Sequence, residues 1–432
     1  MEIIEMIIDI IGENINVPRI PLLSCALTCR SWYPRSQMNL VRRVLLQDRH
    51  QIFSFSHLLF KKSYLAPSVE SMTLEDPFDY RPRKSDWEVQ LIEARRDGTA
   101  TPFPLLFAGR LPNLREVYIG FQKLHVIHPS FFRALSEFTS ITTLTLEDVS
   151  FERPLDFNRL ICALPNLTKL SVWLPREPKS YTLAHPIATR HFAKTHLKTL
   201  VLLHETDPGS IPIIRCLLLS GACVRLETLD LTCLDSYHGP KVGLELRSLF
   251  EACRTSLKCL KFSFTVVNLA IKTLLSYSYI VPYFPHLRIL HIRARCGTDK
   301  SKNIWLWKMV TSFTTGCIHI GRIILEYIPG SYCNWRSTSI FDVVLSTLHQ
   351  ANCAFLDDCF GTRELSSQED GLRINVYTHG YSQSKEIEDK QAAAFRSEVY
   401  SLFSMLHQRN LVSVFIASHE IYDPSVHAWG LA

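Results

Sequence analysis

Three histidines, His185, His191 and His196, lie close together and are the first residues whose type could hold a metal. Their spacings of six and five residues put them on no common face of a helix or strand, so they read as solvated loop histidines. Asp357 and Asp358, followed by Cys359, could suggest an acid–base dyad, but adjacent side chains diverge and an acidic turn fits better. Cys25 and Cys29 stand one helical turn apart, where burial as small hydrophobes is the default. None of the thirteen cysteines has a nucleophile's surroundings. The chain carries no G-x-S-x-G elbow, phosphate-binding GxxxxGK[ST], Rossmann glycine fingerprint or HExxH. Basic clusters at Arg81 to Lys84 and at Arg95-Arg96 read as solvated loops, with nuclear import as the alternative. The expectation is no enzyme: no catalytic residue, no metal and no cofactor.

Residues that do no chemistry must serve by shape, and the elements carrying that shape follow from composition and pattern. The 432 residues suggest two or three domains or one repeat array. With 47% hydrophobic and 20% charged residues there is ample apolar surface to bury. A net charge of +6 over this length is too weak to signal nucleic-acid binding. The cysteines are odd in number and form no CxxC pair, which fits a reducing compartment, cytoplasmic and/or nuclear. The opening MEIIEMIIDIIGEN has glutamates where a signal peptide carries Lys or Arg. No apolar run approaches the roughly 18–20 residues of a membrane span, so no membrane partner is expected.

From Glu2 to Ile11, the residues Ile3, Ile4, Ile7, Ile8 and Ile11 follow a helical stripe, with Met6 and Ile10 off it. Pro21 can open a second helix bearing Leu22, Leu23, Ala26 and Leu27, and Cys29-Arg30-Ser31-Trp32-Tyr33 ends it before Pro34. A third helix carries Met38, Leu40, Val41, Val44 and Leu45. Such a short three-helix segment wants a partner to cover its apolar surface.

The runs EIIEMIIDII, PLLSCALTCRSW and the third apolar helix resemble an F-box motif, most closely the variant that opens fungal F-box proteins of the basidiomycete type. That resemblance implies docking on a Skp-type adaptor, and through it on a cullin–RING ubiquitin ligase. It assigns adaptor binding to Ile3, Ile4, Ile7, Ile8, Leu22, Leu23, Cys29 and Trp32. The family's Leu-Pro before the first acidic residue is missing; Met1-Glu2 stands there, implying either an upstream start or weakened adaptor binding. The bland alternative is a helical cap on the following domain.

Beyond Asp48 the chain repeats apolar-x-x-apolar-x-apolar, as in Leu114-Val117-Ile119, Ile141-Leu144-Leu146, Leu167-Leu170-Val172, Leu226-Leu229-Leu231 and Leu287-Leu290-Ile292. From Leu114 to Ile320 the repeat recurs every 26 to 33 residues, with helix-like segments between. Strand, loop and helix at this period resemble a long leucine-rich repeat, but the asparagine or cysteine eight positions after the first leucine is absent; Gln122, Val149, Pro175 and Glu205 stand in its place. The expected α/β fold is a three-helix F-box-like motif (1–48), an irregular leucine-rich-repeat-like solenoid with a parallel sheet (49–350) and a capping region (351–432).

Alternation turns a polar row away from the leucines. Its candidate partner-binding residues are Tyr118, Lys169, Trp173, Lys261, Arg293 and Arg322. The expected function is substrate recognition for a Skp–cullin–F-box type ubiquitin ligase, with an unidentified protein substrate. The alternative is a repeat scaffold without any ligase connection.

Overall fold

The computed structural model describes residues 2–13, 19–75, 100–124, 127–151, 153–173, 197–204, 210–233, 240–265, 284–296, 310–315, 317, 319–329, 340–348, 350–361, 371–379 and 385–419. His185, His191 and His196 and both basic clusters lie outside these residues. The chain divides into two compact units, essentially residues 1–197 and residues 198–423. No helix among the described residues is long and apolar enough to cross a membrane.

The first unit opens with α1 (Glu2–Glu13), α2 (Ile20–Thr28) and α3 (Tyr33–Arg42). Pro21 and Pro34 sit in the first turns of α2 and α3, where a missing N–H costs nothing. The third helix is shorter than its apolar pattern suggests: it stops at Arg42, and Arg43–Leu46 becomes strand β1. Val44 and Leu46 point inward and Leu45 outward, the alternation of a strand. Helix α4 (Arg49–Lys61) follows, N-capped by Asp48, whose carboxylate accepts the Gln51 N–H at 2.7 Å.

Strands β2 (Ser71–Glu75), β3 (Glu116–Gly120), β5 (Thr143–Glu147) and β7 (Lys169–Trp173) then pair in parallel, in chain order, after β1. Met72, Val117, Leu144 and Leu170 align across this register, and all are buried. After β3 and β5 the backbone passes through left-handed residues, Phe121 at φ 55° and Asp148 at φ 49°. These turns lead into the short strands β4 (Lys123–Leu124) and β6 (Ser150–Phe151), which pair with each other.

The second unit continues with β8 (Thr199–His204), β9 (Thr228–Cys233), β10 (Cys259–Thr265), β11 (Ile289–Cys296), β12 (Arg322–Pro329), β13 (Gly371–His379) and β14 (Val412–His419). Leu200, Leu229, Leu260, Leu290, Ile323, Leu372 and Val412 meet in register as one buried row. Among the described residues, helices connect β8 to β9, β9 to β10, β12 to β13 and β13 to β14, the kind of crossover that parallel pairing requires.

The strand arrangement departs from the fold class expected from the sequence. Among the described residues, five strands within the first unit and seven within the second pair in parallel and in chain order, interleaved with helices of 5 to 18 residues. This does not match an F-box-like motif followed by a leucine-rich-repeat-like solenoid. The physical reason is legible in the sequence: it repeats no asparagine at the strand exits, so it lacks the residues from which a side-chain ladder of short uniform coils is built. Links are made pairwise instead. Asn113 and Asn166 donate to the Pro67 and Thr139 carbonyls, at 2.8 and 2.7 Å, just before their strands begin. Among the described residues, Gln122 makes a link at a strand exit in the manner expected of asparagine. Fully buried, it accepts the Ala100 N–H at 2.7 Å and donates to the Leu74 carbonyl at 3.2 Å.

Candidate partner-binding surfaces

Helix α1 is apolar on two sides, and the two sides have different work. Ile8 is buried against its neighbours and Ile4 and Ile11 are half-buried, while Ile3, Met6, Ile7 and Ile10 are exposed. The exposed four are spaced i, i+3, i+4, i+7, one continuous helical face. Helix α2 repeats the arrangement: Leu22 is buried, and Ile20, Leu23 and Leu27 are exposed, Leu27 to 86%. Seven large apolar side chains therefore face outward on two adjacent helices, each gaining about 1.5–3 kcal/mol on full burial.

Polar contacts on the other side of α1 fix it against α3. Asp9 accepts from Arg35 Nε at 2.7 Å, from Arg35 Nη2, and from Asn39 Nδ2 at 2.8 Å. The Arg35 guanidinium holds the Asp9 carboxyl below the usual range. Gly12 has no side chain because a Cβ there would lie 2.6 Å from the Asn39 amide. Arg42 bridges Glu13 and Glu70, tying the helices to the chain just before β2.

Of the residues assigned to adaptor binding, Ile3, Ile7 and Leu23 are exposed, and Ile4, Cys29 and Trp32 half-buried. Ile8 and Leu22 point inward and support the helices instead of presenting surface. Met6, Ile10, Ile20 and Leu27 share this exposed surface and are not among the residues assigned to adaptor binding from the sequence. The i, i+3, i+4, i+7 spacing of Ile3, Met6, Ile7 and Ile10 was the signal that could have found the first two.

On the polar side of the first unit's strands, Tyr118, Lys169 and Trp173 are half-buried. The Tyr118 hydroxyl donates to the Glu147 carboxylate, and its ring lies over Gly120, where a Cβ would approach it to 2.7 Å. Burial pushes the Glu75 carboxyl up.

The second unit holds the denser arrangement. Register places Asp230, Lys261, His291, Ile324 and Arg373 side by side on β9 to β13, with Thr232, Ser263, Arg293, Glu326, Asn375 and Phe415 in the row above. Glu326, nearly buried, accepts from Arg293 Nε at 2.7 Å and from Asn375 Nδ2 at 3.2 Å. His291 Nε2 lies 3.2 Å from Glu326 Oε2. Burial alone would raise the Glu326 pKa; His291 and Arg293 outweigh it and hold the carboxyl at about 2. For Asp230 the balance falls the other way, and burial pushes its carboxyl up despite Lys261, Arg293 and His291. Arg373 donates Nε to Asn375 Oδ1 at 2.9 Å, and its guanidinium stands 5.6 Å from the Phe415 ring centre.

Lys261 and Arg293 thus belong to one belt, with Arg322 one row below. Arg373 and Asn375 were missed because the leucine period lapses after Leu325 and no outward row was projected onto β13.

Asp357 proves structural. It lies in a helix rather than an acidic turn, and its carboxylate accepts the N–H groups of Met405 and Leu406 at 2.9 and 2.7 Å. Burial pushes the Cys223 and Cys253 thiols up to about 12, far from a reactive thiolate. Among the described residues no three metal-ligating side chains gather. No protein-family model matches the chain, and no curated protein matches it either, so its surfaces themselves carry the functional reading.

Proposed function

We propose that this chain is a non-catalytic substrate receptor of a Skp–cullin type ubiquitin ligase. Its N-terminal helices dock a Skp-type adaptor, and the polar side of its strands holds a target protein. The observation that carries the reading is the outward apolar face of α1 and α2, built from Ile3, Met6, Ile7, Ile10, Ile20, Leu23 and Leu27. A face of that size on a short helical segment is costly in water unless a partner covers it. The resemblance of residues 1–48 supports the same helices as the docking element.

Co-purification with a Skp-type adaptor tests the proposal. The folded chain should capture the adaptor, and the double variant Ile7→Lys, Leu27→Lys should lose at least tenfold in affinity with an unchanged melting temperature, since both positions are exposed. A folded chain that captures no adaptor, even with Leu-Pro placed ahead of Glu2, sinks the reading.

A further inference from the structure

The charged belt of the second unit has a geometry that selects for a particular kind of segment. Lys261 and Arg373 are the two cations of the lower row, on β10 and β13. Neither pairs with a carboxylate within 4 Å among the described residues, although Lys261 and the Asp230 carboxylate attract each other from neighbouring strands. Arg373 is held by its Nε–H bond to Asn375 and its stacking beside Phe415, which leaves the two Nη groups of its fork to receive a carboxylate. Lys261 is half-buried beside Asp230, whose carboxylate accepts from the Thr232 hydroxyl at 3.3 Å.

Three strand spacings separate Lys261 from Arg373, about 14 Å at roughly 4.8 Å each. His291 and the apolar Ile324 stand between them. An extended chain advances about 3.3 Å per residue, so residues four apart on one face are about 13 Å apart. The belt as a whole carries Lys261, Arg293, Arg322 and Arg373 against Asp230 and Glu326, an excess of positive charge interrupted by fixed carboxylates. A nucleic-acid backbone, charged at every step, would meet both carboxylates; a peptide with discrete acids would pass Glu326 and meet only Asp230, beside Lys261.

We infer that this face binds an extended acidic segment of a partner protein, lying across β10 to β13, with two carboxylate side chains four residues apart and an apolar side chain midway. The acids meet Lys261 and Arg373, and the apolar residue meets the His291–Ile324 stretch. The inference rests on the strands' polar side being the target-binding element, and it names the class of target.

The test uses the full chain and a fluorescein-labelled eleven-residue peptide carrying two glutamates four apart with valine between them. Anisotropy at low salt should show binding, weakened at least tenfold when lysines replace the glutamates. The same loss should follow from the double variant Lys261→Glu, Arg373→Glu, which should still capture the adaptor. Equal affinity for the acidic and lysine peptides, or full affinity in the double variant, overturns the inference. So does a single-stranded twelve-nucleotide competitor that binds the belt more tightly than the peptide. Failed adaptor capture with intact peptide binding would remove the ligase reading and leave this one standing.

Discussion

Glu326 anchors the charged belt, and its ionisation is linked to stability. Its folded pKa of about 2 lies below its ordinary 4.5, so the fold favours the charged form. The contribution is present in full above pH 4.5 and is lost as pH falls through about 2; at roughly 1.4 kcal/mol per unit it is about 3 kcal/mol. Glu326→Gln should therefore lower stability at pH 7 by about 2–3 kcal/mol in urea denaturation, with the gap closing towards pH 2. A gap of constant size across that range would show that the charge is not responsible. Asp230 has the opposite sign. Its folded pKa is raised, so ionisation works against the fold at neutral pH and not below its ordinary 3.8. Asp230→Asn should raise the melting temperature at pH 7, and the gain should vanish in acid. A lowered melting temperature at pH 7 would mean that the attraction of Lys261 and Arg293 outweighs burial.

At the scale of elements, β13 depends on one glycine. Gly371 has φ +117°, and a Cβ there would lie 2.1 Å from the Leu411 carbonyl oxygen. Gly371→Ala should shift the start of β13 against β14, at a cost of at least about 1–3 kcal/mol from backbone strain alone. Hydrogen exchange should show it as faster exchange at Leu372, whose N–H donates to Leu411 O at 2.7 Å. Leu229, fully buried between Leu200 and Leu260, should cost about 2–5 kcal/mol when cut to alanine, and a change below 1 kcal/mol would contradict the register. The strands that pair in chain order after β1 were legible in the sequence, because buried apolar residues at every second position leave a period-two mark, while the two-residue strands β4 and β6 were not. β1 was not, since Val44 and Leu45 also continue the helical spacing of α3. The two faces of α1 merged into one stripe for a related reason: isoleucine serves equally well against a helix or against a partner. The stacking of the strands was misjudged because periodicity places strands without saying how their turns are fastened. That depended on Asn113, Asn166 and Gln122, single polar residues with no repeat to mark them.

Across the whole molecule, the two proposed surfaces differ in the force that drives binding. The α1–α2 face is apolar, and the β10–β13 belt is charged. Exposed charges are screened over about 10 Å at 0.1 M salt and about 3 Å at 1 M, whereas apolar burial is not weakened by salt. Raising salt from 0.05 to 0.5 M should weaken acidic-peptide binding at least tenfold and change adaptor affinity less than twofold. Titrations of both ligands on one preparation would check this. Parallel losses would mean that the adaptor contact is electrostatic, against the apolar surface of α1 and α2.

The pairing of strands in chain order has a consequence for synthesis. Within each unit, every strand of the main sheet docks on the one completed before it. A growing chain therefore carries a single advancing edge of unsatisfied N–H and C=O groups, renewed whenever a strand leaves the ribosome. At about 5–20 residues per second, most strands wait only a few seconds for the next. The longest interval in the second unit follows β12, where 49 residues separate Arg322 from its partner Gly371. During that interval the backbone of β12 is the open edge, and the core-facing Ile323, Leu325 and Tyr327 lie beside it, so it is there that a nascent chain of this protein calls most for a chaperone's cover.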